Sequence, residues 1–215
     1  MSIRWCTFDC YGTLIDWEGG ITAALLPLLD DPVDRDALAQ EYIQTEAEVE
    51  AGEYLRYRDI LDRAGTALLR KHGIDRPSPL PASLPQWEAF PEVPGSLRAL
   101  RAAGRKIAIL SNVDRDLIAS SLSKLGITPD LVITAEDVGS YKPAAGHWSR
   151  FAELSGASTA DTVHIGASQY HDMVPGAALG YRTVFIDRHG EPLTSTPTRV
   201  LRDLAPLART IAELE

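Results

Sequence analysis

From Lys106 onward the chain alternates short apolar runs with amphipathic stretches, and this alternation limits the fold more than any other feature. Lys106–Leu110, Leu131–Thr134, Thr162–Ile165 and Arg182–Ile186 read as strands. Between them, Asp114–Leu125, His147–Leu154 and Asp172–Leu179 have helical spacing, with Asn112 or Asp114 placed to cap the first. Strand and helix in turn imply right-handed crossovers and a parallel sheet covered on both faces, an α/β architecture of the Rossmann-like kind. Ile3–Phe8 adds a further strand.

Between about Glu18 and Phe90 the pattern changes to three helical segments with no convincing strand: Ile21–Leu29, Asp36–Glu50 and Tyr54–Lys71. We read residues 18–90 as a small α-helical cap inserted after the first strand, and 1–17 with 91–215 as the core. The Pro-rich stretch Pro77–Pro85 reads as a linker or long loop. A cap at that point would close over the carboxyl edge of the sheet, where open α/β sheets place their ligands.

The chemistry-bearing residues fall at that edge. Asp9 follows the first strand, Ser111 and Asn112 follow Lys106–Leu110, Lys142 follows Leu131–Thr134, and Ser168 to Asp172 follow Thr162–Ile165. A nucleophilic carboxylate, a hydroxyl, an ammonium and a second carboxylate would thus share one crevice. Lys142 is one of only four lysines, so its position at a strand end is less easily a chance of composition. An aspartate so placed can attack carbon or phosphorus and be released by water, dividing one displacement into two. Lys142 would keep Asp9 ionised, Thr13 and Ser111 offer hydroxyl donors, Gly12 permits a tight turn, and Asp172 would hold the lysine or position water.

Phe8-Asp9-Cys10-Tyr11-Gly12-Thr13-Leu14, Leu110-Ser111-Asn112, Tyr141-Lys142-Pro143 and His164 to Asp172 resemble the four ordered motifs of the haloacid dehalogenase superfamily. The resemblance covers the whole sheet region, and the helical insertion is similar to that family's cap. It implies an aspartyl covalent intermediate. Phosphatases of the superfamily usually carry a second aspartate two places after the nucleophile; here Tyr11 stands there, as in the 2-haloacid dehalogenases. A phenol with a pKa near 10 is a poor acid-base group at neutral pH, and a halide leaves without a proton. The first acid of the usual magnesium motif is replaced by Ala167, leaving Asp9 and Asp172, which implies no metal. By the same resemblance, Tyr11, Ser168 and Gln169 lie near the substrate.

One departure concerns the halide. The family's dehalogenases receive it on an arginine from the early cap, yet no arginine occurs between Asp36 and Leu55. Arg56 or Arg58 would have to enter from the next helix, with at most one facing the cleft. His171 reads as a capping or surface residue, Trp17 and Tyr57 as candidates for an apolar cleft wall for which helix packing is the favoured role, and Glu46, Glu48 and Glu50 as a solvated helix face.

The formal net charge of -9 disfavours nucleic acid and anionic membranes as partners. Cys6 and Cys10, too close in sequence for a structural disulfide, fit reduced thiols and a cytoplasmic setting. The reading is therefore a hydrolase, foremost a metal-independent dehalogenase of a small anionic 2-haloacid, with a homodimer permitted by the resemblance. A magnesium-dependent phosphatase using Asp9 and Asp172 as ligands, and a ligand-binding protein without efficient chemistry, are the alternatives.

Overall fold

A computed structural model describes residues 2–30 and 32–215; Met1 and Asp31, which fall within the two ranges above, lie outside them. Six strands form one parallel sheet in the order β3-β2-β1-β4-β5-β6: β1 Trp5–Phe8, β2 Lys106–Ser111, β3 Leu131–Thr134, β4 Thr162–Gly166, β5 Arg182–Ile186 and β6 Arg199–Leu201. All four residues of β1 are buried, as expected for a central strand covered on both faces. The five strands read from sequence lie where the apolar runs put them. The sixth, β6, is three residues long and largely exposed, too short and too polar to leave a pattern.

Among the described residues the α-helices are α1 Trp17–Leu25, α2 Arg35–Glu50, α3 Tyr57–Lys71, α4 Leu80–Ser83, α5 Val93–Ala102, α6 Arg115–Leu122, α7 Ala135–Val138, α8 Gly146–Ser155, α9 Val174–Ala178 and α10 Leu207–Glu213. The Pro-rich stretch is not an open loop. It folds as α4 and a following 3-10 turn, because Leu80 and Leu84 are both fully buried and the prolines stand in first-turn positions, where no amide hydrogen is needed.

The helical segment leaves and rejoins the sheet layer through a short pairing. Ile15 bridges Ala89 antiparallel, Asp16 N–H donates to Glu88 O at 2.8 Å, and Phe90 N–H donates to Leu14 O at 3.0 Å. It is further tied down at α3. The Asp114 carboxylate does not cap its own helix α6; its two oxygens accept from the amides of Tyr57 and Arg58, each at 3.0 Å. A carboxylate at a helix N-terminus meets both unpaired amides and the positive end of the dipole. Among the described residues no helix is long and apolar enough to cross a membrane.

β1 is where the strand order reverses, since the chain runs to β2 and β3 on one side and returns to β4 on the other. Crevices at such switch points, outside the carboxyl ends of the strands, are where open α/β sheets bind ligands.

Candidate functional site

A cavity of ≈ 720 Å³ opens at this switch point, lined from below by Asp9, Ser111, Asn112, Lys142, Ala167 and Asp172, and from above by residues of α1, α2 and α3. Lys142 is the electrostatic centre of its floor. Its side chain is fully buried, and Nζ donates to Asp9 Oδ1 at 2.9 Å and to Asp172 Oδ1 at 2.6 Å. A buried lysine survives only when paired. The two carboxylates raise its basicity against burial, so it stays an ammonium.

The elements around Lys142 explain its aim. Asn112 is neither a helix cap nor a free substrate ligand. Its amide spans the Lys142 backbone, Oδ1 accepting from the Lys142 N–H at 2.7 Å and Nδ2 donating to the Lys142 carbonyl at 3.1 Å. From the other side, Asp172 is completely buried, takes Lys142 on Oδ1, shares a 3.3 Å contact with His164 Nε2, and receives the Ser168 N–H on Oδ2. Burial alone would raise the pKa of Asp172, but the Lys142 charge and the His164 contact hold it well below the usual carboxylate range. Enclosed in this way, Asp172 holds the lysine in place. Gly166 at the end of β4 makes room for it: a Cβ there would lie 2.6 Å from the Asp172 carboxyl carbon.

Asp9 is the more accessible of the two floor carboxylates. Its Oδ2 accepts from Thr13 Oγ1 at 2.7 Å, and Thr13 Oγ1 in turn accepts the Ala167 N–H at 2.9 Å. Thr13 is wholly buried and does not line the cavity, so it orients Asp9 and is not a substrate donor. Burial pushes Asp9 above the ordinary carboxylate value, while Lys142 and Thr13 oppose that shift. Gly12 adopts φ 88°, a left-handed conformation that a side chain would strain, and this turn carries the chain over Asp9. The turn is clamped by Arg188, which donates to the carbonyls of Gly12 and Thr13, pairs with Glu92 at 2.9 Å, and stacks on Phe90. Sequence reading overlooked Arg188, although it follows β5 just as the other site residues follow their strands.

Ser111 lines the cavity, and its buried Oγ has no hydrogen-bond partner. Its carbonyl is fixed by His147 Nε2 at 3.1 Å; burial lowers His147 to about 4, so the ring is neutral. Tyr11 lines the cavity with its ring, but its hydroxyl shares a 2.8 Å bond with Ser121 and its acidity is suppressed by burial. Ser168 Oγ caps the single π-helical turn Gln169–Met173 by accepting the His171 N–H.

Three expectations need correction. Gln169 borders the cavity, yet its amide is consumed by the 192–195 loop: Oε1 accepts from the amides and hydroxyls of Thr194 and Ser195, and Nε2 donates to Pro192 O. Neither Arg56 nor Arg58 faces the cleft. Arg56 pairs with Glu136 and Arg58 with Asp116, on the exposed side where α3 meets the sheet layer. Position in sequence puts them at the start of α3, and the Asp114 cap fixes that end outward. Finally, Glu46 and Glu50 are not part of a solvated face; only Glu48 is fully exposed, while Glu46, Glu50, Trp17, Tyr57 and His171 all line the cavity.

That acidic wall has a stability consequence. Glu46 accepts from the phenols of Tyr57 (3.0 Å) and Tyr42 (3.3 Å), and burial together with the nearby Glu50 charge pushes it up to about 8; burial takes Glu50 to about 7. Both are raised from 4.5, so their contribution to stability is fully present below that value and is lost as pH climbs through about 7 and 8. The E46Q/E50Q double variant is expected to unfold with a flatter pH dependence and to exceed wild type by about 1–2 kcal/mol at pH 8 in denaturant titrations. A variant that loses stability at pH 8 would contradict the cost of ionising these groups in the fold.

A magnesium ion does not suit the residues present. Among the described residues no three His, Cys, Asp or Glu side chains converge as a metal site, Ala167 stands where a third carboxylate would be needed, and Asp9 and Asp172 already share the Lys142 ammonium.

Comparison with known proteins agrees with this geometry. The model of the haloacid dehalogenase-like hydrolases matches residues 3–180. The chain is 27% identical over 203 residues to (S)-2-haloacid dehalogenase 4A of Burkholderia cepacia, covering 89% of this chain and 86% of the relative. It is also 25% identical to the phosphoglycolate phosphatase of Aquifex aeolicus, over 84% and 83% of the two chains. L-2-haloacid dehalogenase of Xanthobacter autotrophicus, solved with chloropropionic acid covalently bound, superposes with a TM-score of 0.84 at 19% identity, over 99% and 100% of the two chains.

Proposed function

Because the chain belongs to the haloacid dehalogenase-like hydrolases, and is thus an enzyme, we propose that it catalyses metal-independent hydrolytic displacement at carbon, removing halide from a 2-halocarboxylic acid. The observation that carries the reading is the state of Tyr11. Where a leaving alkoxide would need a proton, the only group two places after the nucleophile is a phenol bonded to Ser121 and held protonated by burial. A halide needs no such donor. The names of relatives such as the Burkholderia cepacia dehalogenase support the same bond.

In this mechanism an Asp9 oxygen attacks the halogen-bearing carbon from the side opposite the halogen, which departs with the bonding electrons and leaves an Asp9 ester. Lys142 keeps Asp9 anionic and aimed, and Ser111 Oγ donates to the substrate carboxylate. Water then attacks the carbonyl carbon of the ester; one of its protons passes to the departing alkoxide, so that the 2-hydroxy acid leaves with one of the original Asp9 oxygens and inverted configuration, and the other goes to solvent as Asp9 returns to its carboxylate. No step requires a metal.

The test is halide release from L- and D-2-halopropionates in excess chelator. Release at an undiminished rate is the expected result. Silence toward every haloacid, with phosphate liberated from small esters only when magnesium is added, would favour the phosphatase reading instead.

A further inference from the structure

A three-carbon acid fills only a small part of the ≈ 720 Å³ cavity, whose volume lies in the range that encloses drug-sized ligands. The rest is walled by α2, from which Gln40, Ile43, Glu46 and Glu50 face inward. Glu46 uses Oε1 for both tyrosine hydroxyls, and among the described residues no hydrogen bond reaches its Oε2 or either oxygen of Glu50. The closest nitrogen to Glu50 is His171 Nε2 at 4.0 Å, on a ring that burial keeps neutral.

Among the described residues neither lysine nor arginine is left over to match them. Carboxylates of seven residues line the cavity against one lysine, one arginine and two histidines, of which His189 lies 3.4 Å from Glu18. Lys142 is committed to Asp9 and Asp172, and Arg188 to Glu92 and the Gly12 turn. Two carboxyls four residues apart on one helix face repel each other when both ionise. An ammonium would relieve that repulsion and bring three donors to the open oxygens. At the sheet end of the same cavity, Ser111 Oγ is buried and unpartnered, a donor suited to a carboxylate. The α2 end of the cavity thus offers open carboxylate oxygens, and the sheet end a neutral hydroxyl donor.

We propose that the substrate is zwitterionic, a 2-halocarboxylic acid with a distal amine, whose ammonium sits against Glu46 and Glu50 while the halogen-bearing carbon meets Asp9. This rests on the displacement reading above and adds the substrate class. It also accounts for a cap whose arginines, Arg56 and Arg58, point away from the cavity.

The experiment compares 6-amino-2-bromohexanoate with 2-bromohexanoate, on wild type and on E46Q/E50Q. Wild type is expected to favour the amino acid by at least about tenfold in kcat/KM, and the double variant to narrow the ratio below about threefold. The ratio within each protein cancels any general loss of folded enzyme. Equal turnover of both by wild type, or a preference that survives in the double variant, overturns the proposal. Calorimetry with 6-aminohexanoate and hexanoate separates recognition from chemistry. Tighter binding of the amine that depends on Glu46 and Glu50, with no halide from either bromide, would keep the recognition and refute the displacement; hexanoate bound as tightly as the amine would refute the recognition.

Discussion

Asp9→Asn is expected to lower turnover by at least about 10⁴-fold while leaving the fold intact. The side chain keeps its shape, so Thr13 and Lys142 retain oxygen or nitrogen neighbours, but the amide cannot displace halide from carbon. The site was an energetic compromise before the substitution: burial raises Asp9, and its ionised form is maintained by Lys142 and Thr13. Neutralising it removes the desolvation penalty of a buried carboxylate, so the variant is expected to be no less stable than wild type. Full turnover by Asp9→Asn would show that another group attacks the substrate. Steady-state halide release and thermal melting measure the two effects separately.

Lys142→Met is expected to damage stability and activity together. Without the ammonium, two buried carboxylates 2.9 Å and 2.6 Å from the lost nitrogen face each other uncompensated, a situation that costs about 3–5 kcal/mol. The sign of the pH dependence follows from Asp172. Its depressed pKa gives stability that is present above the unfolded value and lost as pH falls through the folded one. Removing Lys142 removes that contribution, so the gap between wild type and variant should be widest near neutrality and shrink in acid, where the stranded carboxyls protonate. Activity should fall by about 10²–10³-fold, as for loss of a preorganised charge. Unfolding titrations at pH 7 and pH 4 test the first claim; a gap that widens in acid would contradict it.

The fold was legible because parallel strands buried on both faces read as continuous apolar runs, and the crossover helices carry their own period. That information also placed Asp9, Ser111, Lys142 and Asp172 at one sheet edge, since each follows a strand. Less could be read of what each side chain does there. Asn112 and Gln169 look like ligands in sequence, but their amides are used by backbone that only the tertiary fold brings near, 30 residues away for Lys142 and about 25 for the 192–195 loop. The cap was the least legible part. α2 has little contrast between its faces, so Glu46 and Glu50 could not be told from the exposed Glu48 until Tyr42 and Tyr57 were seen to bury the first of them. Asp114 capping α3 instead of α6 is a contact across 57 residues, and the partners of Arg56 and Arg58, Glu136 and Asp116, are as distant in sequence.

The most direct test of the account is one turnover in oxygen-18 water with enzyme in excess over 2-bromopropionate, followed by mass spectrometry of the peptide containing Asp9. Displacement by Asp9, with water attacking the ester carbonyl, puts the label into the Asp9 carboxylate and leaves the hydroxy acid unlabelled. Label in the hydroxy acid with none in Asp9 would mean that water attacks the substrate carbon directly, and would contradict the covalent role assigned to this aspartate.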